Sequence, residues 1–273
     1  MNNDDLLLNP IGFVRCDHPT RDAIPLIGAP AILETLPGFE PALDAIERSS
    51  HILVLAWLHR ADRTVLVARP RRVDPGAPSM GVFASRSPDR PNPVSMSVVP
   101  LVRREGLRLH VDHLDLIDGT PLLDLKSYNP GWDGVFGARR DKRVRQSALP
   151  DELLAGFLRR DLENHLGPVP APPAAITGLA AVFAAIREFD VDARDPRLSV
   201  WMNRCDASLD AVIGLMGGTF SSGRVTLEPL AGPARFRFGF EGRELMLVEY
   251  EGTAAVLAEP RRWVAEAFYR DGR

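Results

Sequence analysis

The sequence predicts a mainly β N-terminal domain, closed or strongly curved into a barrel, joined to an α+β C-terminal domain. Three observations carry this. Six segments before residue 130 read as strands, with one short helix among them. Neither GxGxxG nor GxxxxGK[ST] is present, so the glycine loops of an alternating nucleotide-binding fold are missing. Beyond residue 150 the apolar spacing becomes helical, and a length of 273 residues suffices for two cores.

Residues 11–15, 52–59 and 64–68 are rich in Ile, Val and Leu and are bounded by Pro, Asp or Gly, as strands are. Between the first two, residues 39–48 follow Pro37-Gly38 and set Leu43 and Ile46 at helical spacing from Phe39, which predicts a short amphipathic helix. Residues 95–102, 107–116 and 122–128 resume the extended pattern. Leu107, Leu109 and Val111 fall on odd positions, Leu114 and Leu116 on even ones, so the pleat slips near His113 and predicts a β-bulge. A stretch from residue 131 combines Gly131, Gly134 and Gly137 with Arg139, Arg140, Lys142, Arg143 and Arg145, and closes on Pro150. It reads as a linker at 138–150 between domains 1–137 and 151–273. Helices are expected at 151–164, at 174–189, where Ile176, Leu179, Ala180, Phe183 and Ile186 share a face, and at 209–216. Strands follow at 224–227, 235–240 and 245–250, with a last helix near 261–269.

Composition narrows the function. Apolar residues make up 45% and charged residues 25%, ordinary for a globular chain, and the net charge of −3 gives no long-range pull toward polyanions. A nucleic-acid partner would need a local patch. Segment 65–108 offers one, with eight Arg against Asp74, Asp89 and Glu105, a local excess of five positive charges. Two cysteines, Cys16 and Cys205, without a CxxC, point to a reducing compartment. The N-terminus has no basic region ahead of its three leucines, and no apolar run approaches 18 residues. The expectation is a cytoplasmic protein without a membrane partner.

The stretch GVFASRSPDRPNPVSMS (81–97) is stiff and cationic. Pro91 and Pro93 fix their own φ and push Arg90 and Asn92 toward extended backbone, so the loop holds its shape without a ligand. Arg86 and Arg90 could fork onto a carboxylate or phosphate, and the Asn92 amide could read a heterocycle edge. The other reading is a tight barrel corner with prolines at a sheet edge. Asp118-Gly119-Thr120-Pro121 is a turn whose carboxylate suits a ribose diol, an α-ammonium or an exocyclic amine, or caps its own turn. His110 and His113, three apart on a strand, read as structural.

Taken together, IGFVR (11–15), SSHILVLAWLHR (49–60), the 81–97 stretch and LDLIDGTPLLDLKSYNP (114–130) resemble the TsaA/TrmO family of S-adenosylmethionine-dependent methyltransferases over residues about 10–130. The resemblance implies a β-barrel fold, a homodimer with the cofactor near the protomer interface, and N6-methylation of a threonylcarbamoyl-modified adenosine beside a tRNA anticodon. It places cofactor contacts at His59, Arg60, Arg86, Met96, Asp115, Leu116, Ile117, Asp118 and Gly119. Where the family often shows Pro-Arg-Gln, this chain has Pro25-Leu26-Ile27, which removes a polar clamp. An exocyclic amine is a poor nucleophile, so an acceptor for its N–H is needed, and Asp118 and Asn92 are the catalytic candidates.

ENHLGPVP (163–170) and NRCDASLDAVIGLMGGTFSSGR (203–224) resemble the FmdE-like family, which implies a divalent metal site using His165 and Cys205. Two alternatives accompany the tRNA reading: a methyltransferase acting on a small molecule or metal-linked cofactor presented by the C-terminal half, and a non-catalytic S-adenosylmethionine- or metal-binding regulator.

Overall fold

The computed structural model describes residues 7–70, 72, 76–135, 145–167, 170–218, 220–249 and 268–270. The chain divides into two compact units, Met1–Arg139 and Arg140–Arg273.

In the first unit, β1 (Gly12–Arg15), β2 (Ala29–Thr35), β3 (His51–Trp57), β6 (Val94–Glu105), β7 (Arg108–Leu114) and β8 (Pro121–Ser127) form a closed barrel in the order β1-β2-β7-β6-β3-β8. A separate two-stranded ribbon, β4 (Val67–Ala68) with β5 (Met80–Gly81), sits in the β3–β6 connection. Alternate side chains point inward, and Val14, Leu33, Val54, Val99, Leu109 and Leu122 fill the interior without solvent exposure. Every barrel pairing is antiparallel. The connections therefore alternate between rims: 16–28, 58–93 and 115–120 leave one rim, and 36–50 and 106–107 leave the other.

The strands expected at 11–15, 52–59, 95–102, 107–116 and 122–128 are present. That at 64–68 shrinks to β4, and β2 was not foreseen, because Pro30 interrupts its run. Pro30 is tolerated because it lies at the bulge foreseen near His113. Ala29 pairs with Leu114 and Ala31 with Val111, so Asp112 and His113 oppose Pro30 alone, and His113 adopts φ 56°. A second shift on the other edge of β7 leaves Val102 extra between Leu101 and Arg103.

The helix expected at 39–48 is instead two 3₁₀ turns, Glu40–Leu43 and Ile46–Arg48, separated at Ala45 with φ 62°. Leu43 is anchored in the barrel core, and its carbonyl, which a continuing helix would use, accepts from Arg104 Nη1 at 2.9 Å.

After a short turn, α1 (Pro130–Asp133), the second unit holds α2 (Asp151–Leu166), α3 (Pro173–Phe189) and α4 (Ala207–Met216) with the sheet β10-β9-β11-β12-β13. Its strands are β9 (Ser199–Met202), β10 (Val225–Leu227), β11 (Arg235–Phe240), β12 (Arg243–Glu249) and β13 (Phe268–Arg270). Thirteen of the seventeen residues of α3 are buried, consistent with its nearly uncharged sequence. The unforeseen β9 is only four residues long and carries no alternation strong enough to read. Residues 138–144 of the expected linker lie outside the described residues; of its remainder, Gln146 is buried and accepts from Ala193 N–H through its amide oxygen. Of the expected terminal helix, 261–267 lie outside the described residues, and Phe268–Arg270 pairs with β12 as a strand.

Candidate functional site at one rim of the barrel

All the site residues expected in the first half fall on the rim that carries connections 16–28, 58–93 and 115–120. Hydrogen bonds lace these three loops together. The Asp118 N–H donates to His18 O, and the adjacent Pro19 O accepts from Arg60 Nη1 at 2.8 Å. Arg21 grips Asp89 with both terminal nitrogens, at 2.9 and 2.8 Å, and also donates to Arg60 O. Asp89 in turn accepts from Asp62 N–H, and Leu58 N–H donates to Pro93 O. The Arg21 hydrogen bonds hold the Asp89 carboxyl below the usual carboxylate range.

A second path crosses the rim. Arg86 Nη2 donates to Met96 O, and the next residue, Ser97, donates its hydroxyl to Asp115 Oδ1 at 2.8 Å. Arg86, Met96 and Asp115 are thus joined, and all three side chains are exposed, Met96 by 53%. Leu116 and Ile117 are buried, 3% and 8% exposed, and Leu116 belongs to the barrel core. Their carbonyls accept within the turn, Leu116 O from the Cys16 thiol and Ile117 O from the Thr120 hydroxyl. Gly119 permits the turn with φ 73°.

Asp118 does not cap its own turn. Its Oδ1 accepts the Cys16 N–H at 3.1 Å, tying the β7–β8 turn to the end of β1. The carboxylate also lines an open groove of about 630 Å³ that runs down the outer face beside the two bulges, with Arg15, Cys16, Asp17, Val102, His110 and Asp112 among its walls. Burial, with the Asp118 and Asp17 charges, pushes the Cys16 thiol up, so it stays protonated at neutral pH.

Asn92 is exposed on the same rim, and no hydrogen bond among the described residues joins it to Asp118. Arg90 is not a ligand fork: its Nη2 donates to Val82 O and Ser85 O at 2.5 and 2.8 Å and staples the loop. His59 is exposed at the end of β3; partial burial, then the Arg60 charge, holds its imidazole below its ordinary range. Pro25-Leu26-Ile27 forms a turn closed by Gly28 N–H to Pro25 O. Sequence reasoning missed Arg21, Asp89 and Arg72, which donates to Arg21 O and Ile24 O; nothing local marks a residue whose partner lies 48 to 68 positions away.

His51, at the opposite end of β3, is held below its ordinary range by burial and then by His113. The unfolded chain therefore takes up its proton first. This contribution to stability is present above a pH of about 6.5 and is lost as pH falls through the lower folded value. Unfolding free energy measured in urea should fall as pH drops from 7 to 5, and His51→Gln should flatten that slope; an unchanged slope would show that His51 is not its source.

The metal expectation is corrected. Cys205 is exposed in a separate groove with Arg204, Asp206 and Leu230, and the His165 ring is pressed on α4, where a Cβ on Gly214 would lie 2.4 Å from two ring carbons. Among the described residues no group of three or more His, Cys, Asp or Glu is placed to hold a metal, and zinc takes three or four ligands. No helix among them is long and apolar enough to cross a membrane.

Comparison with known proteins matches the family model described as the tRNA-methyltransferase O N-terminal domain to residues 15–134. A protein of Archaeoglobus fulgidus named "Probable S-adenosyl-L-methionine-binding protein" is 44% identical over 162 residues, 58% of this chain and 43% of the relative. An "S-adenosyl-L-methionine-binding protein" of the same organism is 38% identical over 135 residues, 48% of this chain and 94% of the relative. A crystal structure of TrmO from Pseudomonas aeruginosa shares 36% identity and covers 49% of this chain and 60% of that one, with a TM-score of 0.40. The chain spans less than half the length of the first of these relatives. Through its barrel, whose strands, bulge and rim loops contain the matched residues, the chain belongs to the tRNA-methyltransferase O N-terminal-domain family.

Proposed function

We propose that the protein is an S-adenosylmethionine-dependent methyltransferase that methylates the exocyclic N6 amine of a threonylcarbamoyl-modified adenosine in tRNA. The observation that carries this reading is the convergence of the three family-matched loops on one rim, where Arg86 donates to the Met96 carbonyl, the next residue, Ser97, donates to Asp115, and Asp118 lines the groove. The donor set fits the cofactor. Asp115 and Asp118 suit cationic groups, the Arg86 guanidinium suits a carboxylate, and the exposed Met96 thioether offers a polarizable apolar contact. The names of the relatives point the same way.

When bound, S-adenosylmethionine supplies an electrophilic methyl group on a sulfonium. Displacement there is in line, so the protein's work is chiefly alignment and exclusion of water. Arg86 and Asp115 would hold the carboxylate and ammonium of the cofactor's amino-acid end. As an N–C bond forms and the C–S bond breaks with its electron pair left on a neutral thioether, the Asp118 carboxylate, oriented by the Cys16 N–H, would accept the N6–H and take its proton. Asn92, on the same rim, orients the base edge. The Arg21–Asp89 pair acts through the loop it stiffens.

The test uses the full chain with methyl-labelled S-adenosylmethionine and bulk tRNA from cells that lack the gene, followed by nucleoside mass spectrometry. The expected product is one N6-methylated modified adenosine carrying the label. Label in a small molecule instead, or none transferred to any acceptor, would overturn the assignment.

A further inference from the structure

We propose that the turn carrying Phe83 docks a single-stranded segment of the acceptor RNA, with the Phe83 ring as a platform for an unpaired base. The inference deepens the RNA reading above and rests on it. Among its described residues, the rim connection 58–93 keeps three large apolar side chains in solvent: Phe83 is 82% exposed, Leu66 63% and Val67 61%. Their backbone is not loose. Val82 N–H donates to Leu66 O across the β4–β5 ribbon, and the Val82 carbonyl accepts from Ser85 N–H, the Ser85 hydroxyl and Arg90 Nη2. Three donors therefore converge on the carbonyl next to Phe83, and the ring is presented from a fixed turn three residues before Arg86. A ring held out this way loses little freedom when a partner covers it.

Charge selects the partner. The same connection carries Arg60, Arg63, Arg69, Arg72 and Arg86. Its described carboxylates are already engaged: Asp62 accepts the Thr64 N–H and hydroxyl, and Asp89 accepts Arg21 and the Asp62 N–H. Arg63 lies over the Trp57 ring at 5.6 Å, which adds a flat cationic surface. An exposed ring and several guanidiniums carried on one connection suit the bases and phosphates of a single strand. A duplex hides its base faces in the stack and leaves a projecting ring nothing to cover.

The experiment measures binding of the full chain to a fluorescent oligoadenylate and to duplex RNA of equal length by anisotropy, for wild type, Phe83→Ala and Phe83→Trp. The single strand should bind more tightly than the duplex. Phe83→Ala should weaken it by about fivefold to a hundredfold without changing the slope against log salt, since stacking and not a phosphate contact is lost. Phe83→Trp should keep wild-type affinity, and melting curves should show all three folded. Wild-type affinity in Phe83→Ala, or no RNA binding by the wild type, would overturn the proposal. So would sedimentation in which Phe83→Ala splits a dimer while RNA affinity holds, because the surface would then join two copies of the chain. Single-strand binding that depends on Phe83, with no label reaching tRNA in the methylation assay, would support the docking surface and count against the methyl-transfer reading.

Discussion

Gly28→Ala is expected to destabilise the barrel by about 3 kcal/mol, from a left-handed backbone penalty of about 1 to 2 kcal/mol added to a comparable overpacking cost. Gly28 has φ +85°, and a Cβ there would lie 2.3 Å from both the carbonyl carbon and oxygen of His113. Those atoms belong to the bulged residue of β7, so relief requires undoing the bulge that separates Ala29 from Ala31 on the pairing strand. Gly38→Ala is the control. It has φ +97° with nothing within 4 Å of the added carbon, so it isolates the backbone penalty. Urea denaturation of both variants should show a lower midpoint for Gly28→Ala by a margin that exceeds the Gly38→Ala loss. Equal losses would mean that the approach to His113 is easily relaxed.

Asp118→Asn is expected to lower the methyl-transfer rate by about a hundredfold to ten-thousandfold, the usual worth of a positioned acid–base group, with little change in melting temperature. Asparagine keeps an oxygen that can accept the Cys16 N–H, so the turn stays tied to β1, while the negative charge that meets the developing cation is gone. Asp118→Ala removes both and should add a stability loss of about 1 kcal/mol, the net worth of a hydrogen bond. Separate measurement of kcat and KM divides the roles: Asp118→Asn should act on kcat, and Arg86→Ala on the KM for S-adenosylmethionine. A near-wild-type kcat in Asp118→Asn would remove the carboxylate from the reaction and leave it as a structural tie.

Local chemistry made much of this legible. Apolar runs of Val, Ile and Leu marked five of the six barrel strands, and the parity change between Val111 and Leu114 located a bulge, because side-chain alternation is a property of the strand itself. Pro91, Pro93 and Gly119 announced two stiff turns for the same reason: their φ preferences need no partner. What misled was spacing without context. Phe39, Leu43 and Ile46 have a helical period, yet the Leu43 carbonyl is taken by Arg104, sixty-one positions away. Arg90 reads as a ligand fork and is spent on two backbone carbonyls of its own loop.

The sequence by itself determined which segments extend, where the turns stiffen, which polar residues crowd the loops, and the family to which they belong. Tertiary structure alone decided that the three loops share a rim, that Arg21 and Asp89 lock it, that Leu116 and Ile117 are buried, and that the His165 ring packs against Gly214. The physical reason is range: backbone preference and alternation act between neighbours, whereas antiparallel closure sets the rim, and hydrogen bonds between residues scores of positions apart exist only once the barrel has closed.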